Sequence, residues 1–173
     1  MRRERDSRLV LGIDPGSHAC GYGVIEAGGG EPRYVSSGTI SLPSGRPLHH
    51  RLKELHEGLV SVIREFRPTE AAVEKVFFAK SARAALSLGQ ARGVALLAVS
   101  AEGLSVHEYT ALEVKKALTG YGRAEKRQVQ EMICAVLGIR GALSPDGADA
   151  LALAFCHMNK AWLARAVDAA DSI

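Results

Sequence analysis

The chain has 173 residues, 47% hydrophobic and 24% charged, which suits one soluble domain with a substantial core. Its longest contiguous apolar run, near residues 94–99, is far too short to span a bilayer, and the polar residues 1–7 lead into no signal-peptide core, so the expectation is a cytoplasmic protein with no membrane association. A formal net charge of +3 with a pI near 8.9 favours an anionic partner only weakly. Cys20, Cys134 and Cys156 form no CxxC pair and read as reduced, mostly buried thiols.

Residues 1–7 are a charged extension, expected to be disordered. Residues 8–14 predict a strand that ends in the turn Asp14-Pro15-Gly16-Ser17. Residues 20–26 and 33–42 predict two more strands, joined through a hairpin-like turn at Gly28-Gly29-Gly30, and the three make an antiparallel meander. Ser44-Gly45-Arg46-Pro47 then opens a helix, with Pro47 expected in its first turn. Leu48, Leu52, Leu55, Leu59, Val62, Ile63 and Phe66 recur along it at helical spacing, and Pro68 stops it.

Residues 71–73 predict a short strand that delivers Glu74 at its end. A helix rich in alanine follows over 81–101; Gly89 and Gly93 inside it permit close approach of another helix, which makes it either central or an interface. A fifth strand is expected over 104–108 and a short helix carrying Lys115 over 111–118. Val129, Met132, Ile133, Val136 and Leu137 share one face of the next helix, with Gly138 expected as its C-cap. The last helix takes Ser144 as N-cap and Pro145 as first residue. The whole is a single α/β domain over 1–173, with a mixed sheet in which the meander joins parallel strands through helical crossovers.

Four acids stand out on that frame. Asp14 ends the first strand and Glu74 the fourth; if those strands are neighbours, both carboxylates emerge at one sheet edge. Asp146 and Asp149, three apart at the start of the last helix, share a face. Each has a plainer explanation on its own: a turn former at Asp14, a surface residue at Glu74, a helix-capping pair at Asp146 and Asp149. Gathered together they are tolerable only with bound cations, and two magnesium ions about 4 Å apart would suit phosphodiester hydrolysis. Basic groups at Lys75/Lys80/Arg83, Lys115-Lys116 and Arg123/Lys126-Arg127 favour a polyanion beside those ions.

The stretches Leu11-Gly12-Ile13-Asp14-Pro15-Gly16-Ser17, Gly21-Tyr22-Gly23-Val24-Ile25, Val73-Glu74-Lys75-Val76-Phe77, Ala85-Leu86-Ser87-Leu88-Gly89-Gln90-Ala91-Arg92-Gly93, Ala124-Glu125-Lys126 and Asp146-Gly147-Ala148-Asp149-Ala150-Leu151-Ala152 follow one another in an order and spacing that resemble the RuvC family of bacterial Holliday junction endonucleases. The resemblance covers about residues 8–160 and implies a ribonuclease H-like fold with a five-stranded mixed sheet flanked by helices. It implies that Asp14, Glu74, Asp146 and Asp149 are catalytic and bind two Mg²⁺ per active site, with Mn²⁺ able to substitute. It further implies DNA contacts by Phe77, Lys115 and Lys126, with Phe77 stacking on an unpaired base and the lysines on phosphate near the cut. The implied partners are branched DNA, a second copy of the chain docked through the alanine-rich helix, and the RuvA–RuvB branch-migration complex. The implied role is recombination and DNA repair by paired symmetric cuts that leave 5′-phosphate and 3′-hydroxyl ends.

Two features depart from the family pattern: Phe78 adds a second aromatic beside Phe77, and Lys75 adds a positive charge beside Glu74. A YqgF-like nuclease acting on RNA shares the acids but not the long match through Gly93. An actin-like ATPase needs a second phosphate-binding glycine turn, which is absent from the sequence, and a non-catalytic junction-binding module predicts loss of an acid, yet all four are present.

Overall fold

The structure is a computed structural model, and residues 8–28, 31–75 and 81–170 are described. The N-terminal extension, part of the glycine turn, Phe77, Phe78 and Lys80 lie outside the described residues. The elements in chain order are β1 (Arg8–Pro15), β2 (Ala19–Ala27), β3 (Arg33–Ser41), α1 (Leu48–Phe66), β4 (Glu70–Glu74), α2 (Ala82–Ala101), β5 (Ser105–Tyr109), α3 (Ala111–Thr119), α4 (Lys126–Val136) and α5 (Pro145–Ala170). Strand order is β3-β2-β1-β4-β5. The first three strands pair antiparallel, and β1–β4 and β4–β5 pair parallel, as the meander-plus-crossover pattern predicts.

Two expected boundaries move. Pro47 is the N-cap of α1 rather than a residue of its first turn. The C-cap of α4 is Leu137, and Gly138 follows it at φ +63°, where its N–H bonds Ala135 O at 3.2 Å and the Ile139 N–H bonds Cys134 O at 2.9 Å. This paired closure needs a residue with positive φ one position past the cap, which is why the glycine falls there.

The sheet buries both faces. Leu11, Ile13, Cys20, Val24, Ala71 and Val73 pack with Leu55, Leu59, Val62 and Ile63 of α1 and with the alanines of α2. Val10, Ile25, Ala72 and Tyr109 pack with α3, α4 and α5. Alternation along a strand therefore assigns each residue a face. In β1, Leu11 and Ile13 point to α1 and α2, so Val10, Gly12 and Asp14 point to α5; in β4 the same parity sends Ala72 and Glu74 to α5.

The approach of α5 to the sheet is unusually close, and glycines allow it. Gly12 pairs with Gly23 across β1 and β2, and Asp14 pairs with Gly21. A Cβ on Gly12 would lie 1.8 Å from the Ala150 carbonyl oxygen, one on Gly21 would lie 2.1 Å from that of Asp146, and one on Gly23 would lie 2.6 Å from Leu151 N. The helix meets this trough with Ala150, Leu151 and Ala154, all buried. The start of α5 is thus laid directly over the end of β1.

The face of α2 away from α1 is open. Leu86 and Leu97 are 65% and 61% exposed, and an added Cβ at Gly89 or Gly93 would meet nothing within 4 Å. Over 20 residues this helix is long and apolar enough to cross a membrane by composition, a property that counting the contiguous run at 94–99 missed. Arg92 interrupts it by pairing with Glu108 on β5, and one side of it packs on α1.

Candidate active site

Asp14 and Glu74 reach one place because β1 and β4 are parallel neighbours in register, Ile13 opposite Val73, and both acids are one residue further along on the α5 face. Asp149 comes down onto them from the second turn of α5, whose start is held by the Ser144 hydroxyl accepting from the Gly147 N–H at 3.1 Å. Asp14, Glu74 and Asp149 line a cavity of about 290 Å³ together with Lys115, Lys126, Ala111, Val114, Val129, Ala152 and Leu153. Asp146 does not line it; it flanks the site over Gly21, near enough for its charge to act on Asp14 and Lys126.

The electrostatics are those of crowded like charges. Burial, then Glu74 and Asp149, push the Asp14 carboxyl from its ordinary 3.8 up to about 7, with Lys126 pulling the other way. Burial and Asp149 likewise raise Glu74, opposed by Lys126 and by a hydrogen bond with Asp14. Beneath them the Cys20 thiol, packed in the core on the opposite face of the sheet, is pushed up to about 12 by burial and by the charges of Asp14 and Asp146. Among the described residues no three His, Cys, Asp or Glu side chains are drawn together tightly enough to hold an ion as they stand. The local positive charge comes from Lys126, whose Nζ lies 2.5 Å from Asp149 Oδ2 and whose own ionisation is raised by that bond.

The donor set fits a hard divalent cation. It is all carboxylate oxygen, with no thiolate or imidazole, and it carries more negative charge than Lys126 neutralises. Asp14, Glu74 and Asp149 could hold such an ion, with Asp146 at the margin.

The two lysines stand on separately anchored helices. Thr110 caps α3, accepting from Glu113 N at 3.2 Å while the Glu113 carboxylate accepts from Thr110 N at 2.8 Å; this capping box fixes the helix that carries Lys115. At the start of α4 the Glu125 N–H donates to Gln128 Oε1 at 2.8 Å, which orients the turn bearing Lys126. Two further residues shape the site and were not singled out from sequence. Gln130 Nε2 donates to Asp149 Oδ1 at 3.2 Å, so α4 holds both oxygens of that carboxylate. Arg92 of α2 donates to the Glu74 carbonyl at 3.2 Å from the opposite face of the sheet. The helical step from Lys126 to Gln130 was a usable signal for the first; nothing local signals the second.

A five-stranded sheet in the order 3-2-1-4-5, with acids from β1, β4 and the start of α5 converging at one edge, is the ribonuclease H-like fold. The family model described as crossover junction endodeoxyribonuclease RuvC matches residues 10–157. A protein of that name from Hahella chejuensis is 52% identical over 150 residues, covering 87% of each chain. One from Rubrobacter xylanophilus is 49% identical over 158 residues, covering 91% of this chain and 88% of the relative. The solved structure of Thermus thermophilus RuvC in complex with a Holliday junction substrate superposes with a TM-score of 0.85 at 34% identity, covering 91% of this chain and 96% of that one. The chain belongs to the RuvC family.

Proposed function

We propose that this chain is a divalent-cation-dependent DNA endonuclease that resolves four-way junctions by paired symmetric cuts, leaving 5′-phosphate and 3′-hydroxyl ends, in recombination and repair in the cytoplasm. The observation that carries the reading is the cavity in which Asp14, Glu74 and Asp149 face Lys115 and Lys126, with Asp14 pushed up to about 7 by burial and by the charges of Glu74 and Asp149. Membership of a family whose relatives are named for crossover junction cleavage supports the substrate.

In this reading Asp14, Glu74, Asp146 and Asp149 are the catalytic acids and bind Mg²⁺, two ions per site, with Mn²⁺ able to substitute. Bound there, the ions supply a lowered pKa for the attacking water, polarisation of the scissile phosphate and stabilisation of the leaving 3′ oxygen. The chain's own groups do the rest. Lys115 and Lys126 on the cavity wall contact the phosphates flanking the cut and balance charge that develops on them. Lys126, paired with Asp149 in the structure, would be free to turn to phosphate were cations to neutralise the acids. Phe77, outside the described residues, stacks on an unpaired base at the branch.

Paired cuts need two sites, and the exposed apolar face of α2, with Leu86, Gly89, Gly93 and Leu97, suits a second copy of the chain. RuvA–RuvB is the partner that delivers the junction. Incubation with a synthetic four-way junction and with linear duplex, with and without Mg²⁺, tests the reading. Junction cleavage only with Mg²⁺ is expected; equal cutting of both substrates overturns the junction specificity.

A further inference from the structure

The seam between α5 and β4 carries a second set of polar side chains at its other end. His157 is the buried polar residue among those described, 4% exposed. Its Nε2 lies 2.7 Å from Glu70 Oε2 and its Nδ1 lies 2.7 Å from the Tyr109 hydroxyl. Glu70 also accepts from Arg8 at 3.1 Å, and the His107 ring stacks on that of His157 at 4.1 Å. A ring protonated at Nε2 donates to Glu70 and accepts the Tyr109 proton at Nδ1, the tautomer assigned from this bonding.

The placement of these partners is informative. Glu70 shares strand and face with Glu74, and Tyr109 is the register partner of Glu74 on β5. Four strand residues from Glu70 to Glu74 span about 13 Å. Eight helical residues from Asp149 to His157, along the row Asp149–Leu153–His157, span about 12 Å. Strand and helix therefore match at two points, Glu70 with His157 and Glu74 with Asp149.

Between those points the sheet presents Gly12 and Ala72, Ala150 and Ala154 lie against Gly12, and Leu153 is the larger side chain of the helical row. The small side chains permit close packing but form shallow ridges that resist sliding poorly. The acid end does not set its own register, because its carboxylates repel and the polar contacts of Asp149 described above both come from α4.

We propose that His157, bonded to Glu70 and Tyr109, is a positioning residue that fixes the register of α5 along β4 and so sets the separation of Asp149 from Glu74 for cation binding. The proposal rests on the reading of those acids as cation ligands. A shift of about an ångström at such a site is enough to lose much of its function, and support groups behind metal ligands typically account for about 10- to 100-fold in affinity.

The test is calorimetric titration of the DNA-free protein with Mn²⁺, alongside thermal unfolding without metal. His157→Ala and Glu70→Ala are expected to weaken Mn²⁺ binding about 10- to 100-fold, with the junction KM unchanged. Glu70→Gln, which keeps an acceptor for Nε2, is expected to recover most of the affinity. Tyr109→Phe, which keeps the ring, should fold and weaken binding about 2- to 10-fold, the effect of one hydrogen bond. Ile133→Val serves as a control that lowers stability from the core of α4 without touching the seam. Variants that unfold earlier yet bind Mn²⁺ as the unaltered protein does would overturn the positioning role and leave the acids as ligands. Failure of the unaltered protein itself to bind Mn²⁺ would overturn both readings.

Discussion

At one end of the α5–β4 seam, Glu70 has His157 at 2.7 Å and Arg8 at 3.1 Å; at the other, Glu74 has Asp14 and Asp149 as neighbours. The two glutamates sit four residues apart on one strand and one face, and burial pushes both carboxyls up. At Glu70 the hydrogen bonds from His157 and Arg8, with the Arg8 charge, more than offset burial, and its carboxyl is held below the usual range. At Glu74 burial and Asp149 prevail, and it is held above. The same residue type is compensated at one end of the seam and left raised at the other, in the proposed cation site. This is the pattern expected when local strain is confined to a functional site.

Substitutions along the seam should therefore separate by where they fall. The largest effect is expected from Asp149→Asn, which removes a charge at the open end: cleavage of a four-way junction should fall about 10³-fold or more, while gel-shift binding of the junction persists. Gly12→Ala strikes the middle. Its Cβ would lie 1.8 Å from the Ala150 carbonyl oxygen, backbone that cannot swing aside, so urea unfolding should show a loss of about 3 kcal/mol or more. Lys160→Ala, at the closed end, breaks a half-exposed ion pair to Glu113 at 2.5 Å and should cost less than about 1 kcal/mol, with Mn²⁺ affinity unchanged. A large loss of affinity in that last variant would blur the division between the two ends.

Much of this arrangement was legible in the sequence, and the limits have physical causes. The short apolar runs at 9–13 and 71–73 placed Asp14 and Glu74 at strand ends, because the apolar composition of a buried strand is a local property. The Ser144-Pro145 start of α5 was legible for the same reason: caps are chosen by neighbouring backbone groups. The spacing of Asp146 and Asp149 gave a shared helical side, but only the packing of α5 on the glycine trough distinguishes Asp149 on the cavity wall from Asp146 at its margin. The His157–Glu70 bond joins residues 87 apart, and a lone histidine within an alanine-rich helix carries no sign of a partner on a strand. The close approach at Gly12 and Gly23 was likewise hidden, since a glycine in a strand reads as a weak point until the helix above it is known.

The central claim is that the open end is short of positive charge that a divalent cation restores. Its most direct test is the titration of the Asp14 carboxyl, followed by ¹³C NMR with and without Mg²⁺, alongside stability as a function of pH. Without Mg²⁺, Asp14 should titrate near 7 rather than at its ordinary 3.8. Between those values the unfolded chain has lost the proton that the folded protein keeps, so this group increasingly destabilises the fold as pH rises from about 4 to about 7, and that penalty is absent below the window. Added Mg²⁺ should lower the Asp14 value and flatten that slope. An Asp14 that titrates near 4 without Mg²⁺, and does not respond to it, would contradict the account.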